Sequence, residues 1–271
     1  MPFWTGNFSA QTIAATTLQV ITWTDAQLAG GGGGTDIFAM TNAGTNNGIA
    51  GTGTDSHKVK VNNNPVIDCV GAELRALIEA MFPSNLAPAT TRLTYQLPFN
   101  IPYEFGPCGI PFGSKVTIET QFNAANASAG SQKVSQRLMD VAPRFMPRYV
   151  AFQGQVSASG NNQRVNLNLN GELLYGCFLP LVSATGLTRV RAMIAPAPGA
   201  VPQELFNLEQ GAIIESQTQL NPATITAGFF MRFPRIVPCY VGSYLEVDAG
   251  AASGVTDRYV PLSLVPLQVA A

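Results

Sequence analysis

The chain has 271 residues, of which 46% are hydrophobic, 9% aromatic and only 11% charged, and its formal net charge at pH 7 is −1. That length suits one elaborated all-β domain or two small ones, with enough chain to bury a substantial core. The charge balance excludes a broad basic field for nucleic acid, the start lacks the basic and apolar regions of a secretory signal, and no run of roughly eighteen apolar residues is present to span a bilayer.

With so few ions, the polar surface falls to Thr, Ser, Asn and Gln. Uncharged amides and hydroxyls cost less to desolvate than ions, so a surface of this kind suits burial against neighbours in an assembly.

In chain order, the N-terminal segment carries Phe3, Trp4 and Phe8 among small residues and reads either as an arm ordered against neighbours or as an ordinary frayed end. "TLQVITWT" is a strand. The five glycines Gly30 to Gly34 open a Gly- and Asn-rich stretch read as an irregular surface loop from Leu28 to Ser56. A phosphate-binding reading of the glycines needs a helix directly after them or a G-K-[ST] lysine, and the sequence has neither. "HKVKV" is the next strand. "GAELRALIEAMF" then places Leu74, Leu77, Ile78, Met81 and Phe82 on one helical face, with Arg75 and Glu79 opposite and Pro83 as a stop.

"RLTYQLPF" and "SKVTIETQF" are strands; the second alternates Val116, Ile118 and Phe122 with Thr117, Glu119 and Gln121. The small, polar "NAANASAGSQ" (123–132) is a candidate subdomain boundary or a long loop, and "SQKVSQRLMDVAP" a candidate helix ended by Pro143. "RYVAFQGQVSA" is a strand. "RVNLNLNG" alternates Val165, Leu167 and Leu169 with Asn166, Asn168 and Asn170, and Asn170-Gly171 predicts a type I′ hairpin. "TRVRAMIA", "ATITAGFFMRF", "SYLEVDA" and "RYVPLSLVPLQV" are further strands, with a weaker helix over "VPQELFNLEQGA". Prolines at 98, 234 and 261 point to edge strands or strand ends, where a missing N–H costs little.

Short strands separated by Gly, Pro and Asn clusters, and rarely alternating with helices, argue for an all-β antiparallel sandwich or barrel. One to three short helices sit in its long connections.

The search for chemistry is negative. His57 is the only histidine, at the edge of a loop and read as exposed; no G-x-S-x-G or S-x-x-K accompanies it, and one histidine cannot make a His-rich metal site. Cys69, Cys108, Cys177 and Cys239 are widely spaced and read as buried free thiols. The formal glycosylation sequons at Asn7 and Asn126 read as chance matches. Glu246 and Asp248 lie two apart on a strand and share a face, which makes them the acids of any glycosidase reading. Solvent-facing acids on an edge strand are the plainer alternative. Arginines cluster with aromatics in "PRFMPRY" (Arg144, Arg148) and "FFMRFPRI" (Arg232, Arg235). They are candidate contacts to phosphate, as in lipid headgroups or nucleic acid, or structural arginines between subunits, where Arg is enriched. No catalytic, cofactor-binding or metal residue is assigned, and no cofactor is expected.

Taken together, "FFMRFPRIVPCYVGSYLEV", the Asn170-Gly171 turn, the long Gly/Asn/Pro loops, the lone strong helix and the uncharged polar surface give a chain that resembles viral jelly-roll capsid proteins. It is similar in particular to the small major capsid proteins of tailless icosahedral phages with an internal membrane, the sphaerolipovirus-like group that infects thermophilic bacteria. The resemblance implies an all-β jelly-roll sandwich or barrel, residues 1–271 forming a single jelly-roll capsid unit with insertions, or with a second smaller β subdomain. It implies no enzyme but a structural protein that self-assembles, with a second capsid protein, into an icosahedral shell around a lipid membrane. The partners are then copies of itself, the second capsid protein and, peripherally, the viral lipid, with no sequence-specific nucleic acid; the place is the virion, assembled in the host cytoplasm. The alternatives are a carbohydrate- or receptor-binding β-sandwich, such as a phage spike or adhesin, and a glycoside hydrolase using Glu246 or Asp248.

Overall fold

The computed structural model describes residues 4–13, 18–23, 34–44, 56–70, 73, 77, 92–98, 107–121, 130–167, 169–180, 182, 184–220, 228–250 and 256–267. Two compact units divide the chain: the first takes Met1–Ile78, Ser84–Arg148 and Pro266–Ala271, the second Glu79–Pro83 and Tyr149–Val265.

In the first unit the strands are β1 (Trp4–Ile13), β2 (Leu18–Trp23), β3 (Gly34–Gly44), β4 (Ser56–Val61), β5 (Asn64–Val70), β6 (Arg92–Pro98), β7 (Ile110–Pro111), β8 (Val116–Gln121), β9 (Gly130–Met139) and β10 (Phe145–Val150). One sheet runs β1-β9-β3-β6 with the short β7 beside β3; the other runs β10-β5-β4-β8-β2. Setting β7 and β10 aside, the antiparallel pairs are nested: β1 with β9, β2 with β8, β3 with β6 and β4 with β5.

The second unit repeats this plan with β11 (Phe152–Val156), β12 (Gly160–Asn166), β13 (Glu172–Pro180), β14 (Leu187–Ile194), β15 (Gln203–Glu209), β16 (Gly228–Cys239), β17 (Tyr244–Ala249) and β18 (Thr256–Pro266). Here β11 pairs with β18, β12 with β17, β13 with β16 and β14 with β15. Cross-pairs β13·β18 and β14·β17 assemble the two sheets. A long antiparallel hairpin rolled on itself, so that successive strand pairs fall alternately into two facing sheets, is a jelly roll.

Period-2 alternation decides which side chains face inward. From one sheet of the second unit Val165, Val190, Ala192, Leu245 and Val247 enter the core; from the other come Cys177, Leu179, Phe229, Met231, Phe233 and Tyr259. Burying each large apolar side chain contributes about 1.5–3 kcal/mol. Gly154 belongs to the same packing, because the Tyr259 ring lies where its Cβ would be, 2.7 Å away. Helix α1 (Gln210–Leu220) connects β15 to β16 and packs against β14, β15 and β16, with Ile213 fully buried.

Several local expectations change. Asn170-Gly171 forms no hairpin: β12 and β13 belong to different sheets, and the chain between them is a corner. The Leu167 N–H donates to the Ser243 carbonyl at 2.8 Å and the Gly171 N–H to the Cys239 carbonyl at 2.8 Å, and of the Asn-Gly pair only Gly171 has positive φ (80°). The two-residue hairpin lies instead between β4 and β5, where Asn62 (φ 50°) and Asn63 (φ 69°) both take the left-handed conformation of a type I′ turn. Asn62 also anchors its neighbour: its N–H donates to the Lys115 carbonyl at 2.8 Å, and its Oδ1 accepts the Lys115 N–H at 2.9 Å.

The stretch read as a loop from Leu28 to Ser56 contains β3, an eleven-residue strand. Trp4–Ile13 is likewise a strand rather than an arm. "SQKVSQRLM" is β9, because its partners β1 and β3 satisfy its backbone along both edges. The expected helix over "VPQELFNLEQGA" is strand β15, with helix only from Gln210. Of the helix expected over 71–82, Glu73 and Leu77 are helical and buried, and the other positions lie outside the described residues. Glu73 Oε2 accepts the Val70 N–H at 3.0 Å, the reach-back of a helix-capping carboxylate. Pro98 and Pro234 fall on outermost strands of their unit's sheets, β6 and β16, while Pro261 stands within β18 opposite Cys177.

Gly34 is the member of the early glycine run that lies among the described residues: its φ is +146°, it is buried, and a Cβ there would overlap the Ile110 carbonyl oxygen where β7 pairs with β3. Gly34→Ala should therefore cost about 2–4 kcal/mol in chemical denaturation. Gly113→Ala, at φ +83° with open space around it, should cost about 1 kcal/mol. Equal midpoints for the two variants would contradict this close approach.

Candidate functional site

β17 lies between β12 and β14, so Glu246 and Asp248 project together from the outer face of a central strand. The neighbouring strands bring arginines into register: Arg164 and Arg191 stand opposite Glu246, and Arg189 opposite Asp248. Glu246 Oε1 accepts from Arg191 Nη2 at 2.7 Å and from Arg189 Nη2 at 3.2 Å, and Arg164 Nε approaches Oε2 at 3.9 Å. The Glu246 side chain is 4% exposed. Asp248 Oδ1 accepts the Asn162 N–H at 2.5 Å. Arg189 Nε lies 2.9 Å from Asp248 Oδ2 with its N–H not directed at it, so this contact is a charge pair rather than a good hydrogen bond. The Arg164 guanidinium also stacks 4.4 Å from the Tyr244 ring centroid.

These positions correct both sequence readings of the two acids. Glu246 is neither solvent-facing nor on an edge strand, because three guanidinium groups cover it. A glycosidase pair needs a carboxyl free to exchange a proton across a cleft, whereas Glu246 is fixed as the anchor of a cross-strand ion cluster. The missed signal is a match of spacings: Arg189 and Arg191 in "TRVRA" are two apart, as are Glu246 and Asp248 in "YLEVDA".

Of the candidate arginines, Arg144 is exposed just before β10, its N–H bonded to the Pro107 carbonyl at 2.8 Å and its carbonyl accepting the Leu267 N–H at 2.9 Å. Arg148, on β10, is half-buried and reaches the Pro65 carbonyl at 3.4 Å. Arg232 and Arg235 are exposed on β16. His57 is the second residue of β4, within the strand expected over "HKVKV", its backbone opposite Cys69 and Thr120. Asn7 lies within β1, and Asn126 is outside the described residues.

All four cysteines are free and buried. Burial drives the Cys177 thiol far above its ordinary value and pushes that of Cys239 up to about 11. Among the described residues no group of three or more His, Cys, Asp or Glu is placed to hold a metal ion, and no helix is long and apolar enough to cross a membrane.

One cleft of the second unit, about 300 Å³, lies between β15 and β16, the outermost strands of its two sheets. Ile194, Pro196, Leu205, Ile236, Val237 and Pro238 line it together with Gln203, Glu204 and Arg235, so polar and apolar surface are mixed there, and Glu204 also pairs with Arg191 at 3.7 Å. α1 runs from the end of β15 to the start of β16, so it covers the opposite end of this sandwich edge. Phe206 and Phe233 meet edge to face at 5.1 Å and tie the two sheets together.

Two outcomes test this chemistry. Glu246→Gln keeps the shape but removes the buried charge, and should cost about 2–4 kcal/mol, against less than about 1 kcal/mol for the more exposed Asp248→Asn; equal losses would refute the anchoring role. The raised thiol values predict an alkaline limit. Below the unfolded value near 9 both states keep their protons and stability is full. As pH rises toward 11 only the unfolded state releases them, so stability falls by up to about 1.4 kcal/mol per pH unit per thiol. Urea midpoints between pH 8 and 10.5 should decline more steeply for the native chain than for Cys177→Ala/Cys239→Ala.

No family model and no curated protein matches the chain. Solved structures do. The crystal structure of the STIV MCP, a major capsid protein, superposes with a TM-score of 0.67 at 11% identity, covering 100% of this chain and 99% of that one. The major capsid protein P2 of bacteriophage PM2 gives the same TM-score, identity and coverage. PBCV-1 VP54, as fitted into a reconstruction of the virophage Sputnik, gives a TM-score of 0.52 at 10% identity over 97% of this chain and 94% of that one. From end to end, this chain has the jelly-roll fold of viral major capsid proteins.

Proposed function

We propose that the chain is a structural capsid subunit without enzymatic activity. Copies of it assemble, together with a second capsid protein, into an icosahedral shell around an internal lipid membrane, built in the host cytoplasm and carried in the virion. The observation that supports a capsid role is the full-length match to major capsid proteins, which extends through both units instead of stopping at one common β-sandwich. The charge-poor surface and the self-satisfied ion cluster on β12, β14 and β17 agree with it, since neither offers reacting groups.

For the domain organisation we adopt two successive jelly rolls meeting between Arg148 and Tyr149, in place of one jelly roll with insertions or a boundary at 123–132. The support is the nested pairing, which occurs once in each unit. In an assembly, modest interfaces with apolar anchors and polar rims are multiplied by symmetry. Arg144, Arg148, Arg232 and Arg235 are proposed as contacts to neighbouring subunits or lipid headgroups, the exposed Arg144, Arg232 and Arg235 being the better placed.

Sedimentation velocity and negative-stain imaging of the purified chain, alone and with lipid vesicles, test the reading. Concentration-dependent oligomers or particles are expected; a species that stays monomeric under every condition would overturn it.

A further inference from the structure

Both units carry the same turn at the same place in the nested plan. In the first unit Pro111-Phe112-Gly113-Ser114 lies just before β8; the Ser114 N–H donates to the Pro111 carbonyl at 3.3 Å, and Gly113 has φ +83°. In the second, Tyr240-Val241-Gly242-Ser243 lies just before β17, the counterpart of β8. There the Ser243 N–H donates to the Tyr240 carbonyl at 3.1 Å, and Gly242 has φ +100°. This is the geometry of a type II turn, with glycine where positive φ is required and an apolar residue at the leading corner. The closing serine is buried in both turns, whereas Phe112 is 49% and Val241 69% exposed.

Topology fixes which end of each jelly roll the turns occupy. Residues 112–115 lead from β7, whose Pro111 stands opposite Gly34 at the start of β3, to β8, whose Val116 stands opposite Val61 at the end of β4. The two hydrogen bonds between Asn62 and Lys115 hold this connection beside the β4–β5 turn. Met139 stands opposite Gly34 on the other side of β3, so β9 finishes at this end as well, and the exposed Val141 follows it. In the second unit Met193 stands opposite Tyr244, which brings the β14–β15 connection to the 240–243 turn, and the Ala195 N–H donates to Ser243 Oγ at 2.9 Å. That connection carries Val201, which is 81% exposed. Among the described residues, the large exposed apolar side chains Phe112, Val141, Val201 and Val241 thus all lie at the end of their unit where its fourth strand passes to its fifth.

Unpaired positive charge gathers at the same ends. Lys58, Lys60, Arg189 and Arg191 each face a carboxylate. The exposed Lys115 and Arg235 meet none among the described residues. Lys115 directly follows the serine of the first turn, and Arg235 lines the cleft at this end of the second unit with Pro196, Gln203 and Pro238. The acids there are engaged: Glu204 pairs with Arg191 at 3.7 Å, and Asp140 beside Val141 has a partner. From Ala192 to Gln203 and from Ile236 to Leu245 the chain carries no charged residue.

We infer that these ends are where each unit meets a lipid surface, the Phe112 and Val241 turns entering the boundary between headgroups and acyl chains while Lys115 and Arg235 face anionic headgroups. A protein pocket is shaped for one side chain. Phe112 and Val241 occupy equivalent turns yet differ in shape and volume, and a fluid apolar phase accepts both. Exposed apolar side chains beside unpaired cations have the composition of an interfacial membrane contact. Turns already closed on buried serines lose little conformational entropy on entering it. The inference rests on the reading above of a shell around a lipid membrane and names the surface that meets the lipid.

The test is flotation of the full chain with phosphatidylcholine–phosphatidylglycerol vesicles and with phosphatidylcholine vesicles, alongside sedimentation velocity without lipid. Circular dichroism and thermal midpoints confirm that each variant folds. The unmodified chain should bind the anionic vesicles several-fold more tightly than the neutral ones. Phe112→Asp and Val241→Asp should each weaken that binding about tenfold, and Lys115→Glu and Arg235→Glu several-fold, with lipid-free association unchanged. Glu209→Lys, which adds a cation at the opposite end of the second unit, should leave vesicle binding unchanged. An unmodified chain that self-associates but floats with neither vesicle overturns the inference and leaves the assembly reading intact. Native vesicle binding by both turn variants overturns it too, as does a gain in Glu209→Lys equal to the loss in Lys115→Glu, since overall charge then accounts for the binding. Loss of lipid-free association in Phe112→Asp or Val241→Asp assigns the turns to subunit contacts and also overturns it. Vesicle binding by a chain that never self-associates supports the lipid contact and ends the assembly reading instead.

Discussion

In each unit the first strand is hydrogen-bonded to one near the unit's end, β1 to β9 and β11 to β18, across most of their unit's sequence. Neither pair can form early, since closing a loop of that length costs several kcal/mol of chain entropy before any contact offsets it. Nesting lowers this barrier. In the second unit β14 and β15 are joined by a short connection; once they pair, β13 and β16, then β12 and β17, then β11 and β18 each close only the residues added since the previous step. The predominance of non-local pairs still places the chain among slow-folding topologies. The core cluster requires the complete set, because its members come from both sheets.

That dependence explains which parts of the fold were legible in the sequence. Strands with one buried face announce themselves: Val116 and Ile118 in β8, or Val165 in β12, alternate with polar neighbours and are fully or nearly fully buried. The all-β class, several strand positions and the corner residues Leu167 and Leu169 follow from that periodicity alone. Pairing does not. Asn170-Gly171 has the composition of a hairpin turn, yet the roll requires the chain to leave one sheet for the other there, so Ser243 and Cys239 take its backbone hydrogen bonds. Asn62-Asn63 makes the hairpin with no glycine at all, because Asn tolerates positive φ. β3 and β9 were obscured for a related reason. Neither has a clean period-2 pattern, β3 having Ile37, Phe38 and Met40 between Gly-, Thr- and Asn-containing ends and β9 being mostly polar, and tertiary partners on both sides make them strands.

The ion cluster shows the same division on the chemical side. Two acids on one face of a strand are visible in "YLEVDA", but their meaning depends on what the adjacent strands place opposite them. Arg164 reaches Glu246 through the nested pair β12·β17 and Arg191 through the cross-pair β14·β17, both from positions far away in sequence. A carboxylate that would be a reactive group in a cleft becomes a structural one on a sheet face. Its three guanidinium partners remain partly exposed, so the outer surface of this sheet is ionic without being unbalanced.

Surface and topology then bear on each other. An open two-sheet sandwich leaves outermost strands that invite indiscriminate pairing, and this chain limits them by several means. In the second unit β16 carries outward Pro234 and Pro238, which cannot donate to an added strand, and α1 covers one end of the edge it shares with β15. The cleft between β15 and β16 lies at the other end of that edge, with Pro238 in its lining. A protein with few surface charges has little repulsion to keep copies apart. Specificity must then come from shape and from where the few charges are placed, as the register-matched arginines and carboxylates of β12, β14 and β17 are.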